Sequence, residues 1–296
     1  TGVPARRPRR SWEPPRGRWA VLLHALAGDW LAAACAAFLL VIVLLAVVGP
    51  FVARYAYDAQ DLDALFHPPG AAHWFGTDQF GRDSFTRIVY GARVSLSVGF
   101  AAVACESLLG MTWGSVAGYY GGAVDNVLMR IVDLLIGFPT ILLAILVTGI
   151  FGPSLTNIVI ALVLTAWPGT ARTIRSEVVA IRDRDYVDGA RALGATTPRI
   201  LARHLVPNVV HLLIVRATLD VSTLVLAEAT LSFIGIGVQP PHPSWGQMIY
   251  ESFQYLDGHP LLLVFPAAAL SATVIAFNIV GEFLSRVLDP RYVARH

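Results

Sequence analysis

Residues 134–171 read LLIGFPTILLAILVTGIFGPSLTNIVIALVLTAWPGTA, 38 positions without a charge between Asp133 and Arg172. Two more uncharged runs follow the same pattern, Leu31 to Ala53 with 23 residues and Gly258 to Gly281 with 24. A helix rises about 1.5 Å per residue, so about 20 apolar residues cross a bilayer core. The longest run is too long for one crossing, and Gly152-Pro153 divides it, because proline ends or kinks a helix at the residue before it. The whole chain agrees: of 296 residues 55% are hydrophobic and 14% charged, with mean hydropathy +0.61, against roughly 25% charged in soluble domains. Disordered, collagen-like, disulfide-scaffold and ordinary soluble-enzyme classes are excluded.

The expected fold is all-α and polytopic, with six transmembrane helices near 31–53, 88–117, 131–150, 155–172, 208–234 and 260–286. The organisation that follows is an Arg/Pro-rich segment 1–29, a first span and outer loop over 30–87, a five-helix core over 88–286 and a tail, 287–296. The Arg residues ahead of the first apolar run resemble a signal peptide, but the run exceeds an h-region of about 7–15 residues, so it reads as a retained span.

All 22 basic residues are Arg. Without Lys the chain cannot carry the Gly-x-x-x-x-Gly-Lys loop that cradles nucleotide phosphates. If ATP supplies work here, another subunit hydrolyses it. Arg also orients the spans. With the N-terminus cytoplasmic, seventeen Arg fall on inner segments and only Arg54, Arg82 and Arg87 on outer ones, which places both termini inside. Cys35 and Cys105 sit in apolar runs as free thiols, and the eight His lack metal-ligand spacing.

The segment 172–207 is charged and structured in composition. Tyr186, Ala190 and Leu193 recur at helical spacing, Gly194 suits a C-cap, and Thr197-Pro198 suits an N-cap with proline at the first helical position. Pro207 is expected to close a second amphipathic piece over 199–206. The result is a helix pair bent at glycine, either projecting as a knob or lying on lipid headgroups.

Asp188-Gly189-Ala190-x-x-x-Gly194, nine residues, then His204-Leu205-Val206-Pro207 resembles the EAA loop (Glu-Ala-Ala-x-x-x-Gly, nine residues, Ile-x-Leu-Pro) of ABC importer permeases. It departs at Asp188, Gly189, His204 and Val206. The stretches from Phe75 to Asp83, from Tyr90 to Leu96, from Asp185 to Val187 leading into Arg191 to Ala195, and from Leu231 to Gly246 are similar to the dipeptide/oligopeptide/nickel permease group, C-type subunit. The resemblance implies a type I ABC importer permease fold and no catalytic residue, metal or cofactor in this chain. It also implies a heterodimer with a B-type permease, two ABC ATPase subunits that bind ATP and Mg, and an extracytoplasmic substrate-binding protein. Membrane lipid is the remaining partner, and no nucleic acid is expected. The coupling helix would be 185–198, with Asp185, Tyr186, Val187, Asp188, Gly189, Ala190, Arg191, Leu193, Gly194 and Pro198 at the ATPase. It would pass rigid-body motion to the spans that flank it.

Ionisable groups inside spans are costly and face protein or water. Arg216 and Asp220 share a face at four-residue spacing, with Glu228 roughly on that face and Glu106 in the second span. These four read either as the polar lining of a translocation path or as packing pairs. Gly76-Thr77-Asp78 and Gly81-Arg82-Asp83 read as a binding loop or as a turn capped by Asp83. Trp245 and Tyr250 read as an interfacial aromatic belt. Peptide import leads; nickel or glutathione import in the same group, and an ion-coupled secondary transporter without visible inverted repeats, are the alternatives.

Overall fold

The computed structural model describes residues 24–288. The Arg-rich residues 1–23 and the tail from 289 lie outside the described residues. Helix α1 (Trp30–Val52) starts where the Asp29 carboxylate accepts the Ala32 N–H at 3.1 Å. Helix α2 (Ser84–Tyr120) starts in the same way at Asp83, which accepts the Thr86 N–H at 2.8 Å. Side-chain caps of this kind satisfy N–H groups that have no partner within the helix.

Next come α3 (Gly122–Ile136), α4 (Thr140–Phe151), α5 (Leu155–Ile181), α6 (Asp185–Ala192), α7 (Thr197–Ile200) with a π turn over Leu201–Leu205, α8 (Val206–Phe233), α9 (Trp245–Phe253) and α10 (Leu261–Leu288). Among the described residues, five continuous helical stretches are long and apolar enough to cross a membrane: α1, α2, α5, Thr197–Phe233 and α10.

The expected single span 131–150 is instead two helices, α3 and α4, bent by 86°. Pro139 is the cause: it lacks an N–H, and it disfavours helical backbone at Phe138. The pair still runs along the whole of α5. The Arg172 guanidinium pairs with Asp133 at 2.6 Å and Arg175 forms a two-pronged pair with Asp125, holding α3 to one half of α5. Ala144 and Val147 of α4 join Ile158, Ala161 and Leu162 of the other half in one apolar cluster. Arg286 of α10 meets Asp29, just ahead of α1, at 3.0 Å. The start of α1 and the end of α10 thus share one side of the bundle, and counting the bent pair as one span gives six candidate spans among the described residues.

Helix α2 is the central element. Gly110, Gly114 and Gly118 form a stripe at four-residue spacing that lets α5 approach closely, as small residues do between membrane helices. A Cβ on Gly114 would lie 2.4 Å from the Ala171 carbonyl oxygen, and one on Gly110 would lie 2.6 Å from Thr170 Cγ2. On the side facing α8, Gly99 admits Val225. Around this centre Leu96, Ala102, Ile158, Leu162, Val225, Trp245 and Phe277 form the main core.

Two local expectations change. Pro207 does not close a helix: α7 continues through the π turn into α8, with Pro207 in the first turn of α8 and the Val206 N–H reaching back to Leu201 O. Proline lacks the N–H that would bond residue 203 and crowds that carbonyl; the wider π turn accommodates both. Trp245 is not in an interfacial belt. It is fully buried, donates its indole N–H to Ile88 O at 3.1 Å and packs over Gly91. Tyr250, one turn and more away, is exposed.

The segment 54–83 and α9 close the opposite end of the bundle around buried charges. Asp78 pairs with Arg82 at 2.6 Å, and Arg82 and Arg87 both donate to Glu251 Oε2 at 2.9 Å. Gly76 and Gly81 turn the chain at φ of +74° and +71°. A Cβ on Gly81 would collide with the Asp61 carbonyl. The Gly76–Asp83 stretch is thus a structured turn that Asp83 feeds into α2.

Candidate functional site

The 185–198 segment folds as two short helices joined at Gly194, whose φ is +77°. The Ala195 N–H bonds back to Ala190 O at 3.0 Å and the Gly194 N–H to Arg191 O at 2.9 Å, the arrangement in which glycine ends a helix with left-handed backbone. Thr196 takes the cap position of α7, with Thr197 and Pro198 following inside the helix.

The face expected to be shared is divided. Val187 and Ala190 are buried in one apolar cluster with Met111 of α2, Ile174, Val178 and Ile181 of α5, Ile200 of α7, Leu205 of the π turn and Val209 of α8. They fasten α6 to the bundle and are not presented outward. Tyr186 is exposed, as are Asp185, Asp188, Gly189, Arg191, Gly194 and Pro198, and Leu193 is 90% exposed. An apolar side chain so far from cover marks the outward tip. Asp188 and Arg191 pair with each other at 2.7 Å, so each is already partnered within the helix.

The four ionisable residues of the spans fall into two places. Arg216 directs its Nε–H to Thr170 Oγ1 at 2.8 Å while lying 3.1 Å from Asp220 Oδ2, and the Thr170 hydroxyl donates to Glu106 Oε2 at 3.1 Å. Helices α2, α5 and α8 are thereby joined through one polar cluster. Glu228 lies elsewhere, two turns further along α8, where it accepts from Ser95 at 2.9 Å and Ser232 at 2.7 Å. The Ser232 oxygen in turn accepts the Val238 N–H at 3.1 Å. Glu228 therefore ties the turn after α8 to α2. Glu106 and Glu228 are both fully enclosed by their own chain, whereas Arg216 and Asp220 keep partial exposure. Near α4 an apolar pocket of about 190 Å³ opens between α5 and α8, lined by Ile141, Leu162, Thr223, Leu226 and Thr230.

The Arg82–Arg87–Glu251 network was missed because its carboxylate is 164 residues from Arg87. The Gly110, Gly114 and Gly118 stripe did carry a signal, the four-residue repeat of a small residue on an apolar helix.

Fold and site together define a multi-pass helical membrane subunit with an outward-facing helix tip. Residues 110–294 match the family model described as "Binding-protein-dependent transport system inner membrane component", and residues 17–69 match the N-terminal TM domain of oligopeptide transport permease C. The chain belongs to the first of these families and is a transport permease subunit. It is 44% identical over 254 residues to the dipeptide transport system permease protein DppC of Bacillus subtilis, covering 86% of this chain and 79% of that one. It is 40% identical over 263 residues to the glutathione transport system permease protein GsiD of Pectobacterium atrosepticum, covering 87% of each. Among solved structures, a chain of the inward-facing MetNI methionine ABC transporter aligns with a TM-score of 0.57 at 21% identity, covering 68% of this chain and 96% of that one. That likeness supports the type I importer fold.

Proposed function

We propose that this chain forms half of the translocation path of an ATP-driven importer of di- or oligopeptides, with N- and C-termini cytoplasmic. Its partner in the membrane is a homologous B-type permease. Two ABC ATPase subunits bind ATP and Mg and dock on Tyr186, Asp188 and Gly189 of α6 and on Leu193, which caps it, and an extracytoplasmic binding protein delivers substrate. The observation that carries the reading is the exposed Leu193 at the tip of a helix whose other face, Val187 and Ala190, is locked into the bundle. Such a helix takes a push from outside and passes it on as rigid-body motion. Arg216 and Asp220 are the path residues this reading keeps, since they retain exposure. The names of the relatives support peptides, and the relative named for glutathione, itself a tripeptide, is compatible with them.

The test is uptake into proteoliposomes by the reconstituted complex, using labelled dipeptides, longer peptides, glutathione and nickel, each scored with ATP hydrolysis. Peptide uptake that requires ATP is expected. Nickel uptake without peptide uptake would overturn the substrate assignment, and uptake driven by an ion gradient without ATP would overturn the class.

A further inference from the structure

Helix α2 ends at Tyr120, so the carbonyls of Gly118 and Tyr119 have no partner within the helix. Arg182, the residue that ends α5, fills that gap: its Nη1 donates to Gly118 O at 2.8 Å and lies 3.5 Å from Tyr119 O. A cation at a helix C-terminus also meets the negative end of the helix dipole. Gly121 makes room for it, with φ +64° and a Cβ position 2.8 Å from Arg182 Nη1.

Arg191, in the last turn of α6, continues the chain of contacts. Its Nη2 donates to the Arg182 carbonyl at 3.2 Å, its Nη1 to Asp188 at 2.7 Å, and its guanidinium carbon stands 5.4 Å from the centroid of the Tyr119 ring. That distance is within the range of a cation–π contact. Two guanidiniums thus lace together the ends of α2 and α5 and the last turn of α6. The apolar cluster below them includes Met111 of α2 with Val187 and Ala190, so the same three elements also touch by packing.

We propose that Arg182 and Arg191 are positioning residues for energy coupling: Arg182 fastens the end of α5 to the end of α2, and Arg191 fastens α6 to both. A load on α6 then moves α2 together with α5 and α8, not only the two spans adjacent to α6 in sequence. Since α2 is the central helix and carries Glu106 and the glycine stripe, its displacement reaches the α2–α5–α8 polar cluster. The inference rests on the reading of α6 as the ATPase contact.

The experiment uses the complete reconstituted transporter. Arg182→Ala, Arg182→Lys and Tyr119→Leu are compared with wild type for peptide uptake per ATP hydrolysed. In parallel, a Leu193→Cys cross-link to the ATPase subunit is scored in each background. With the cross-link retained, Arg182→Ala is expected to lower uptake per ATP roughly tenfold, the size of one charge-assisted hydrogen bond lost. Arg182→Lys recovers part of it, because an ammonium still reaches Gly118 O. An unchanged ratio in Arg182→Ala, with the cross-link present, overturns the proposal. If Arg182→Ala does not assemble, Tyr119→Leu decides: it keeps both guanidiniums hydrogen-bonded and is expected to lower the ratio about threefold by removing the ring contact, and an unchanged ratio there overturns the proposal. Absence of the cross-link in the otherwise wild-type protein would instead overturn the docking reading of α6.

Discussion

Arg87 donates to Glu251 at 2.9 Å while its side chain is only 2% exposed, and Arg82 donates to the same oxygen. This junction joins the start of α2 to α9, and a guanidinium so deeply placed depends on its carboxylate partner. Glu251→Ala leaves two buried cations facing each other with Asp78 alone to balance them. Removing one partner of a buried pair costs about 3 kcal/mol or more. The thermal unfolding temperature of the purified subunit is expected to fall by several degrees, and Glu251→Asp to fall between the two. Unfolding of Glu251→Ala at the wild-type temperature would show that the network does not hold α9.

The glycine stripe makes a contrasting prediction about stability. Gly114→Ala forces a methyl to 2.4 Å from the Ala171 carbonyl, so α2 and α5 must separate; overpacking of this kind costs about 1–3 kcal/mol. Gly149 in α4 has open space around its Cβ position. Gly149→Ala should therefore gain up to about 1 kcal/mol from the higher helix propensity of alanine. Opposite shifts of the unfolding temperature in the two variants are the expected result.

Val187 within α6 and Leu193 at its C-cap separate folding from coupling. Leu193→Asp places a charge at an exposed tip, and the unfolding temperature should be unchanged while peptide uptake falls by at least about tenfold, if a hot-spot contact is lost. Val187→Asp buries an unpaired carboxylate in the cluster of Ile174, Val178 and Leu205, at a cost of several kcal/mol, and should reduce the yield of folded protein. Equal effects of the two substitutions on yield would contradict the division of the helix into an inner and an outer face.

Much of this architecture is legible along the chain because each decision is local. The uncharged run 31–53 coincides with Trp30–Val52 to within a residue at each end, and Gly152-Pro153 does separate two helices, with Gly152 at φ +85°. Pro139 escaped because it lies amid continuous apolar sequence, where hydropathy does not change as the backbone turns. Pro207 misled in the opposite direction, since a proline in the first turn of a helix can be absorbed by a π turn. At the site, the four-residue spacing identified Arg216 and Asp220 as a pair, and the structure has them 3.1 Å apart. That Glu106 joins them through Thr170 depends on how α2 meets α5, which no spacing records. The helical spacing of Tyr186, Ala190 and Leu193 suggested one shared face, yet α2, α5 and residues 200–209 bury Ala190 and leave Tyr186 and Leu193 outward. Trp245 carried no positional signal, because burial there depends on a gap at Gly91 154 residues earlier.

The most direct test of the central claim, that α6 is the part of this chain an ATPase engages, is site-specific cross-linking in the assembled transporter with single cysteines at Leu193 and Val187. Cross-linking of the ATPase subunit from position 193, altered by ATP binding, with none from position 187, is the predicted result. Absence of any ATPase product from position 193 in a complex that still imports peptide on ATP would contradict the account.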